Sequence, residues 1–437
     1  MNVAIIGAGW AGLAAAVSAT QRGHRVTVFE SSRAIGGRAR SLPAVLPDGT
    51  AVTLDNGQHI LIGAYTATLG LMRSIGIEPG DVLLRLPLEL RFPDGDGLAL
   101  PDWPAPLDAA WGIASARGWS SHDKFSILAA SLRWQLARFE CASATTVMQL
   151  CDRVTPRVLH QLIEPLCVSA LNIPAARASG QVFLRVLRDS VFGPGDGRWR
   201  GSNLLLPRVD LGQVFPQPAV RWLDGQGMQV VTGRRIQHIV PASPGWDVDG
   251  ETFDAVVLAC PPWEASRLVH GAGIGADPWL ERCDALQHEA ITTVYATAAH
   301  RLPRPMLALH ASAAAPAQFV FDRSHLGGPT GLLAFVVSAS GDDREGLQAR
   351  VMAQASALGW GPLQLVQTVV EKRATFACTP GLLRPSVQVA TGLLACGDYV
   401  DGPYPATLEG AVRSALEVAA RLTEAVMPGL TRHPTIR

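Results

Sequence analysis

The strongest constraint on this chain lies in its first thirty residues. Val3-Ala4-Ile5-Ile6 is a short apolar run of strand type, followed at once by Gly7-Ala8-Gly9-Trp10-Ala11-Gly12. Leu13 to Thr20 is a small, Ala-rich helical run. Gly23 ends it, and Arg25 to Phe29 reads as a second strand closed by Glu30, 18 residues after Gly12. A strand, a G-x-G-x-x-G turn that opens a helix, and a second strand ending in an acid at this distance make the start of a dinucleotide-binding βαβ unit. Gly7 permits the tight turn, Gly9 lets a pyrophosphate approach the backbone, and Gly12 lets helix and strand pack closely. Ala8 and Ala11 belong to the same phosphate-facing turn. The helix N-terminus offers N–H groups and a positive dipole end to phosphates, and Glu30 suits the ribose hydroxyls of an adenosine.

Three further stretches carry chemistry. Gly36-Gly37-Arg38 follows the acid closely. Its glycines allow backbone approach, and Arg38 can neutralise phosphate. Asp55-Asn56-Gly57-Gln58-His59-Ile60 follows the extended Val52-Thr53-Leu54. His59 reads either as a satisfied structural histidine or as a group near a reacting centre. Near the other end, Gly392 to Ala395 is a strand running into Gly397-Asp398, and Thr407-Leu408-Glu409-Gly410-Ala411 opens a last helix over 408–426.

At 437 residues the chain has room for two domains with sizeable cores. Its 37 basic and 37 acidic residues balance, so nothing points to nucleic acid as a partner. Seven scattered cysteines lack metal-ligand spacing, which argues for reduced thiols in a cytoplasmic setting and for no metal site. Residues 1–19 lack charged side chains, yet they read as the βαβ start rather than as a signal peptide or membrane span. Residues 80–120, with Trp103, Trp111 and Trp119, read as loops and short helices with exposed aromatics. A helix is expected over Lys124–Glu140, with Phe125, Leu128, Leu132, Leu136 and Phe139 in one stripe. A second is expected through Val158, Leu159, Leu162 and Ile163. Such stripes are usually core, but they can also wall a lipid tunnel or face a membrane. Gln229–Thr232 and Arg235–Ile239 look like short strands, and Phe253 to Ala259 is a buried-type strand ending at Cys260-Pro261-Pro262. Several β-like segments in 290–375 suggest a separate mixed sheet, with a helix over Asp342–Leu358.

These pieces together resemble the FAD-dependent amine oxidase and phytoene desaturase superfamily. The resemblance rests on the N-terminal motif, Glu30, Gly36-Gly37-Arg38, Cys260-Pro261-Pro262, Gly397-Asp398 and Glu409-Gly410-Ala411. It implies an α/β fold, α+β overall. A Rossmann-like FAD domain (1–75, 203–264 and 386–437) would be interrupted by a substrate domain of mixed sheet and helices (76–202 and 265–385). It also implies residue roles. Glu30 would hold the adenosine ribose, and Arg38 the phosphate and ribityl region. Ile236 would meet adenine through its backbone, and Asp398 would bind the phosphate–ribityl part. Leu408 and Ala411 would face the flavin pyrimidine ring, where a helix N-terminus stabilises negative charge on the reduced ring. Gly57, Gln58 and Gly397 join this cofactor-facing set.

Closer still, the chain resembles the squalene-associated branch, the hydroxysqualene dehydroxylase family of bacterial hopanoid biosynthesis. Asp55-Asn56-Gly57-Gln58-His59, Pro165 to Pro174 and Leu206-Pro207-Arg208-Val209-Asp210-Leu211 carry that resemblance. It implies reductive removal of a hydroxyl from a C30 isoprenoid. An allylic hydroxyl leaves more easily when protonated, and His59 is the leading proton donor because an imidazole titrates near working pH. The alternatives are a carotenoid or squalene desaturase, an amine oxidase, and a non-catalytic isoprenoid escort. Only Lys124 and Lys372 are lysines and four residues are tyrosines, which disfavours amine oxidation with its flavin-facing lysine and aromatic cage. The retained flavin determinants disfavour the escort. The hydroxysqualene substrate would partition into membranes. Peripheral contact with the inner, cytoplasmic leaflet is therefore expected, through the Trp-rich 103–134 region. No second dinucleotide motif is visible, so direct NAD(P)H binding lacks support.

Overall fold

Two sheets carry the fold of the computed structural model, which describes residues 1–299, 301–341 and 343–426. The first sheet draws strands from both ends and the middle of the chain. They are β1 (Asn2–Ile6), β2 (Arg25–Glu30), β3 (Gln229–Thr232), β4 (Ala255–Leu258), β10 (Gln388–Ala390) and β11 (Leu393–Ala395), in the order β3-β2-β1-β4-β11-β10. All pairs are parallel except the β10–β11 edge. Strands covered on both faces read as unbroken apolar runs, and β4 is buried at every position. Helix α1 (Trp10–Gln21) lies on the sheet and is itself covered by the last helix, α5 (Leu408–Val426). The chain leaves β1 for β2 on one side and meets β4 on the other. The crevice beyond the carboxyl ends of these strands is therefore the switch point where such sheets bind ligands.

The second sheet contains β5 (His288–Ala298), β6 (Met306–Ala308), β7 (Phe319–Asp322), β8 (Leu332–Ser340) and β9 (Leu363–Phe376), in the order β6-β7-β8-β5-β9. Every pairing is antiparallel, more regular than the mixed sheet expected. The Arg344–Ala357 helix packs Leu347, Val351 and Ala355 onto it. The long β9 delivers its C-terminal half to the first sheet's crevice.

Three expectations need correction. The segment Arg235–Ile239 is irregular, and pairing begins only at Ile239–Pro241. The Asp249 carboxylate takes the N–H groups of Gln237 and His238 before a strand can use them. The helix expected over 124–140 is α3, Ser121–Leu136, started by a Ser120–Asp123 capping box. It ends where Arg138 and Phe139 turn to φ 54° and 57°. Finally, Trp119 is buried, with its Nε1 donating to Gln161 Oε1 at 2.7 Å, so it belongs to no exposed aromatic surface.

The second expected helix exists, with Val158, Leu162 and Ile163 in the core. It passes through one π turn (Leu159–Ile163) into α4 (Glu164–Leu171). Asn172 ends it in the left-handed region at φ 51°. Its amide then donates to Thr375 Oγ1 at 2.9 Å and accepts from the Ala339 N–H at 2.8 Å, which pins this helix to β8 and β9.

Candidate flavin site

The glycine turn is built as its spacing requires. Gly7 sits at φ +117°, and a Cβ there would lie 2.6 Å from the Ala259 carbonyl oxygen. A Cβ on Gly12 would fall 1.8 Å from the Gly7 oxygen. Both positions are closed to any side chain by the protein itself. Gly9 differs. Its φ is −76°, and a Cβ would only touch Gly37 Cα at 3.8 Å. The fold tolerates a methyl there, so a glycine at position 9 is explained by a ligand that must reach the backbone. This is the fit of a dinucleotide, read from the geometry of the turn.

Glu30 is tied into the same turn. Its Oε2 accepts the Ala8 N–H at 2.8 Å and its Oε1 accepts the Ser32 N–H at 2.8 Å. Oε1 also accepts the Ser31 hydroxyl at 3.2 Å, so Oε2 is the oxygen that keeps a lone pair for a ribose hydroxyl. The Gly36 N–H donates to the Ala8 carbonyl at 2.8 Å, and the Arg234 N–H to the Glu30 carbonyl at 2.9 Å. The segment leading to Ile236 therefore runs beside Glu30. The Ile236 side chain is buried and its carbonyl accepts from Arg267 at 2.8 Å.

Arg38 and Asp398, 360 positions apart, form an ion pair. The Arg38 guanidinium also donates to the Ala374 carbonyl at 2.9 Å. Burial alone would lower its pKa. The Asp398 charge and hydrogen bond, with Glu371 nearby, outweigh that and hold it above its ordinary value. About a third of the Arg38 side chain stays accessible, so a fixed cation faces the crevice. Gly397 is held by Ser414, whose hydroxyl accepts the Gly397 N–H at 2.9 Å.

The 55–59 stretch is locked between the two sheets. Asp55 Oδ1 accepts the Leu211 N–H at 2.7 Å, and the Asp55 carbonyl accepts the Tyr295 hydroxyl at 2.9 Å. Burial pushes the Asp55 carboxyl up to about 6, against the opposing pull of Arg323 and of the Leu211 N–H. Arg323 also donates to Gln58 Oε1 at 3.3 Å. His59 is half-buried, and its Nδ1 lies 2.8 Å from the Gly57 carbonyl. A carbonyl only accepts, so this nitrogen carries the hydrogen and Nε2 presents its lone pair. Burial, then the Arg38 charge, pulls the imidazole below its ordinary 6.5 although the Gly57 bond opposes them.

Leu408 and Ala411 stand in the first turn of α5, where Thr407 Oγ1 accepts the Gly410 N–H at 3.0 Å. Glu409 between them is fully buried and does other work. Its oxygens accept the N–H groups of Ala67 and Thr68, the Thr68 hydroxyl and Arg413 Nε, all within 3.0 Å. It thereby caps the Thr66–Ser74 helix from across the chain.

Sequence reasoning missed Glu371, which faces Arg38 and accepts from Asn56 Nδ2 at 3.5 Å. It also missed the Arg323 bridge and the group formed by His288, Trp263 and Arg373. The run Glu371-Lys372-Arg373 inside an otherwise uncharged strand was a usable signal, since charge in mid-strand needs partners. Lys372 itself is exposed, and Lys124 donates to the Ala114 carbonyl at 2.7 Å on a distant helix. All seven cysteines are free thiols. Among the described residues no cluster of three His, Cys, Asp or Glu could hold a metal ion, and no helix is long and apolar enough to cross a membrane.

The model of the family described as flavin containing amine oxidoreductase matches residues 10–423, from the glycine turn to the last helix. This chain belongs to that family. It is a flavin-dependent oxidoreductase, and its cofactor is FAD. Similarity also runs end to end with two proteins named hydroxysqualene dehydroxylase. The one from Zymomonas mobilis is 27% identical, with 94% of this chain and 96% of that one covered. The one from Rhodopseudomonas palustris is 28% identical with the same coverage. Among solved structures, an oxidoreductase from Methanosarcina mazei superposes with a TM-score of 0.72 at 15% identity, over 96% of this chain and all of that one.

Proposed function

We propose that this family member is a hydroxysqualene dehydroxylase, replacing the hydroxyl of hydroxysqualene by hydrogen to give squalene. The observation that carries the reading is the alignment with proteins of that name over 94% of this chain and 96% of theirs. The site agrees with it in one respect: neither lysine is placed to serve amine oxidation. Reduced FAD, when bound, supplies a hydride equivalent to the carbon that loses oxygen. The chain's own residues hold the cofactor, exclude water and deliver one proton to the departing hydroxyl, which leaves as water.

In this reading Glu30 takes the ribose and the backbone at Ala8, Gly9 and Ala11 takes the pyrophosphate. Arg38 with Asp398 takes the phosphate–ribityl part, and Leu408 with Ala411 faces the pyrimidine ring. Residues 1–75, 203–264 and 386–437 make the FAD domain, and 76–202 with 265–385 the lipid domain; 427–437 lie outside the described residues. His59 is the proposed proton donor. Its pKa is pulled below the ordinary imidazole value, so turnover should fall as pH rises, with the fall placed below that of an unperturbed imidazole. The His59→Ala enzyme should lose about 10²-fold or more of the rate while keeping its flavin. Full activity of that variant would remove His59 from the mechanism. The substrate is a membrane-soluble isoprenoid alcohol, and we place the enzyme on the cytoplasmic face of the membrane as a peripheral protein.

The reaction is tested anaerobically with the flavin chemically reduced. On addition of hydroxysqualene, flavin reoxidation should keep step with squalene formation. A stable reduced flavin would sink the dehydroxylase reading, and oxidation of squalene or a carotenoid precursor by the oxidised enzyme would put a desaturase in its place.

A further inference from the structure

Among the described residues, seven of the fourteen exposed large apolar side chains lie between positions 103 and 136. Four of them are the α3 stripe: Phe125, Leu128, Leu132 and Leu136 are 70%, 42%, 58% and 78% exposed. The stripe, left open between core and a lipid- or membrane-facing surface, thus faces outward. The inward side of α3 carries Asp123, Ser126, Ile127, Ala130 and Trp134 instead. Asp123 and Ser126 are satisfied locally. Asp123 accepts from the Ser120 N–H and hydroxyl and from the Thr155 hydroxyl, and Ser126 donates to the Asp123 carbonyl. The other three exposed groups belong to the preceding helix, α2 (Leu107–Ala114), and its entry: Trp103, Leu107 and Trp111, with the two indoles 5.4 Å apart. Lys124 reaches from α3 to the Ala114 carbonyl, so the two helices are neighbours.

Charge on this face is predominantly basic. The acids from 103 to 138 are Asp108 and Asp123, both buried and hydrogen-bonded inward, and from outside that stretch Asp152 pairs with Arg133 at 3.3 Å. Its bases, Arg117, Lys124, Arg133 and Arg138, all keep accessible surface. On α3, Lys124 and Arg133 stand roughly a quarter turn to either side of the apolar stripe. The chain as a whole is balanced, with 37 basic and 37 acidic residues, so this excess is local.

We infer that the exposed face of α2 and α3 is a docking surface for a lipid bilayer containing anionic headgroups. Trp, Phe and Leu on one side of a helix with Lys and Arg at its margins is the pattern of helices that lie in the membrane interface. A purely protein-covered patch gains little from a basic margin, whereas an anionic leaflet attracts each such cation. The inference gives the membrane contact proposed above a location. It rests on exposure and charge, and it is tested without substrate, so it can fail or stand apart from the dehydroxylase reading.

The test is co-sedimentation of the full, FAD-loaded chain with phosphatidylcholine vesicles, with and without phosphatidylglycerol. The chain should pellet with the anionic vesicles and be released by salt. The double substitution Leu128→Gln with Leu132→Gln, and separately Trp111→Ser, should weaken binding about tenfold or more. Flavin absorbance per protein and the melting temperature should stay at the parent values. Lys124→Gln with Arg133→Gln should remove the preference for anionic vesicles. A parent chain that stays in the supernatant with both vesicle types overturns the inference. So does a dimer that Leu128→Gln with Leu132→Gln turns into monomer without any change in vesicle binding, since the face would then join two copies.

Discussion

Two helices of this molecule, α1 and α3, are both rich in apolar residues and are used in opposite ways. α1 buries ten of its residues between the first sheet and α5. Its Ala and Gly side chains let backbone approach backbone on both sides. α3 turns Phe125 and three leucines away from the protein and packs on Ile127, Ala130, Trp134 and the locally bonded Asp123 and Ser126. A 3.6-residue period identifies a helix, but it does not say which side is inside. The local hydrogen-bond partners of polar groups help decide that. In α3 the decisive residues are Asp123 and Ser126, which find partners within the protein and leave the leucines to the outside.

Substitutions can break this comparison, and the largest effect belongs to the buried side. Gly12→Ala places a Cβ against the Gly7 oxygen and should yield a destabilised, colourless protein. Gly9→Ala should leave the melting temperature close to the parent value yet weaken FAD binding about tenfold or more, measured by flavin release. A Gly9→Ala protein with normal flavin content would refute the cradle described for position 9.

Next, Ile127→Ala, on the inner side of α3, should cost about 2–5 kcal/mol in urea unfolding. A loss no larger than that of Leu132→Ala would mean that the helix faces the other way.

A third effect concerns polar groups. The Asp55 carboxyl rises from 3.8 to about 6 on folding, a change worth about 3 kcal/mol. Between those values the folded chain holds the extra proton, so this contribution grows as pH falls and is lost as pH rises through 6. Relative to Asp55→Asn, the parent should gain about that amount between pH 7 and pH 4. Asp123 has the opposite sign. The Thr155 hydroxyl, followed by the Ser120 hydroxyl and N–H, outweighs its burial and holds it below 3.8, so its contribution is lost only as pH falls. Equal pH profiles for Asp55→Asn and the parent would show that Asp55 is solvated.

The smallest effect is that of Leu132→Ala itself, within about 0.5 kcal/mol of the parent.

The parts of the site that could be read from sequence are those whose chemistry is local. Gly7, Gly9, Gly12 and Glu30 serve one turn, so their spacing carries the information. The Arg38–Asp398 pair could be anticipated only through family resemblance, because nothing at either position points to the other across 360 residues. Glu371, Arg323 and the structural duty of Glu409 stayed hidden for the same reason: each works through a partner brought near by the fold. The α3 stripe was correctly seen as a helix and left open between core and surface, because periodicity is symmetric under turning a helix over.

The Glu409 clamp also has a consequence for how the protein is made. The βαβ start leaves the ribosome before α5, which covers α1, and before β11, which flanks β4. At about 5–20 residues per second, the nascent glycine turn waits on the order of tens of seconds for the helix that completes its domain. Flavin retention should therefore require these later elements, and a ribosome-stalled chain ending before residue 386 should retain no FAD.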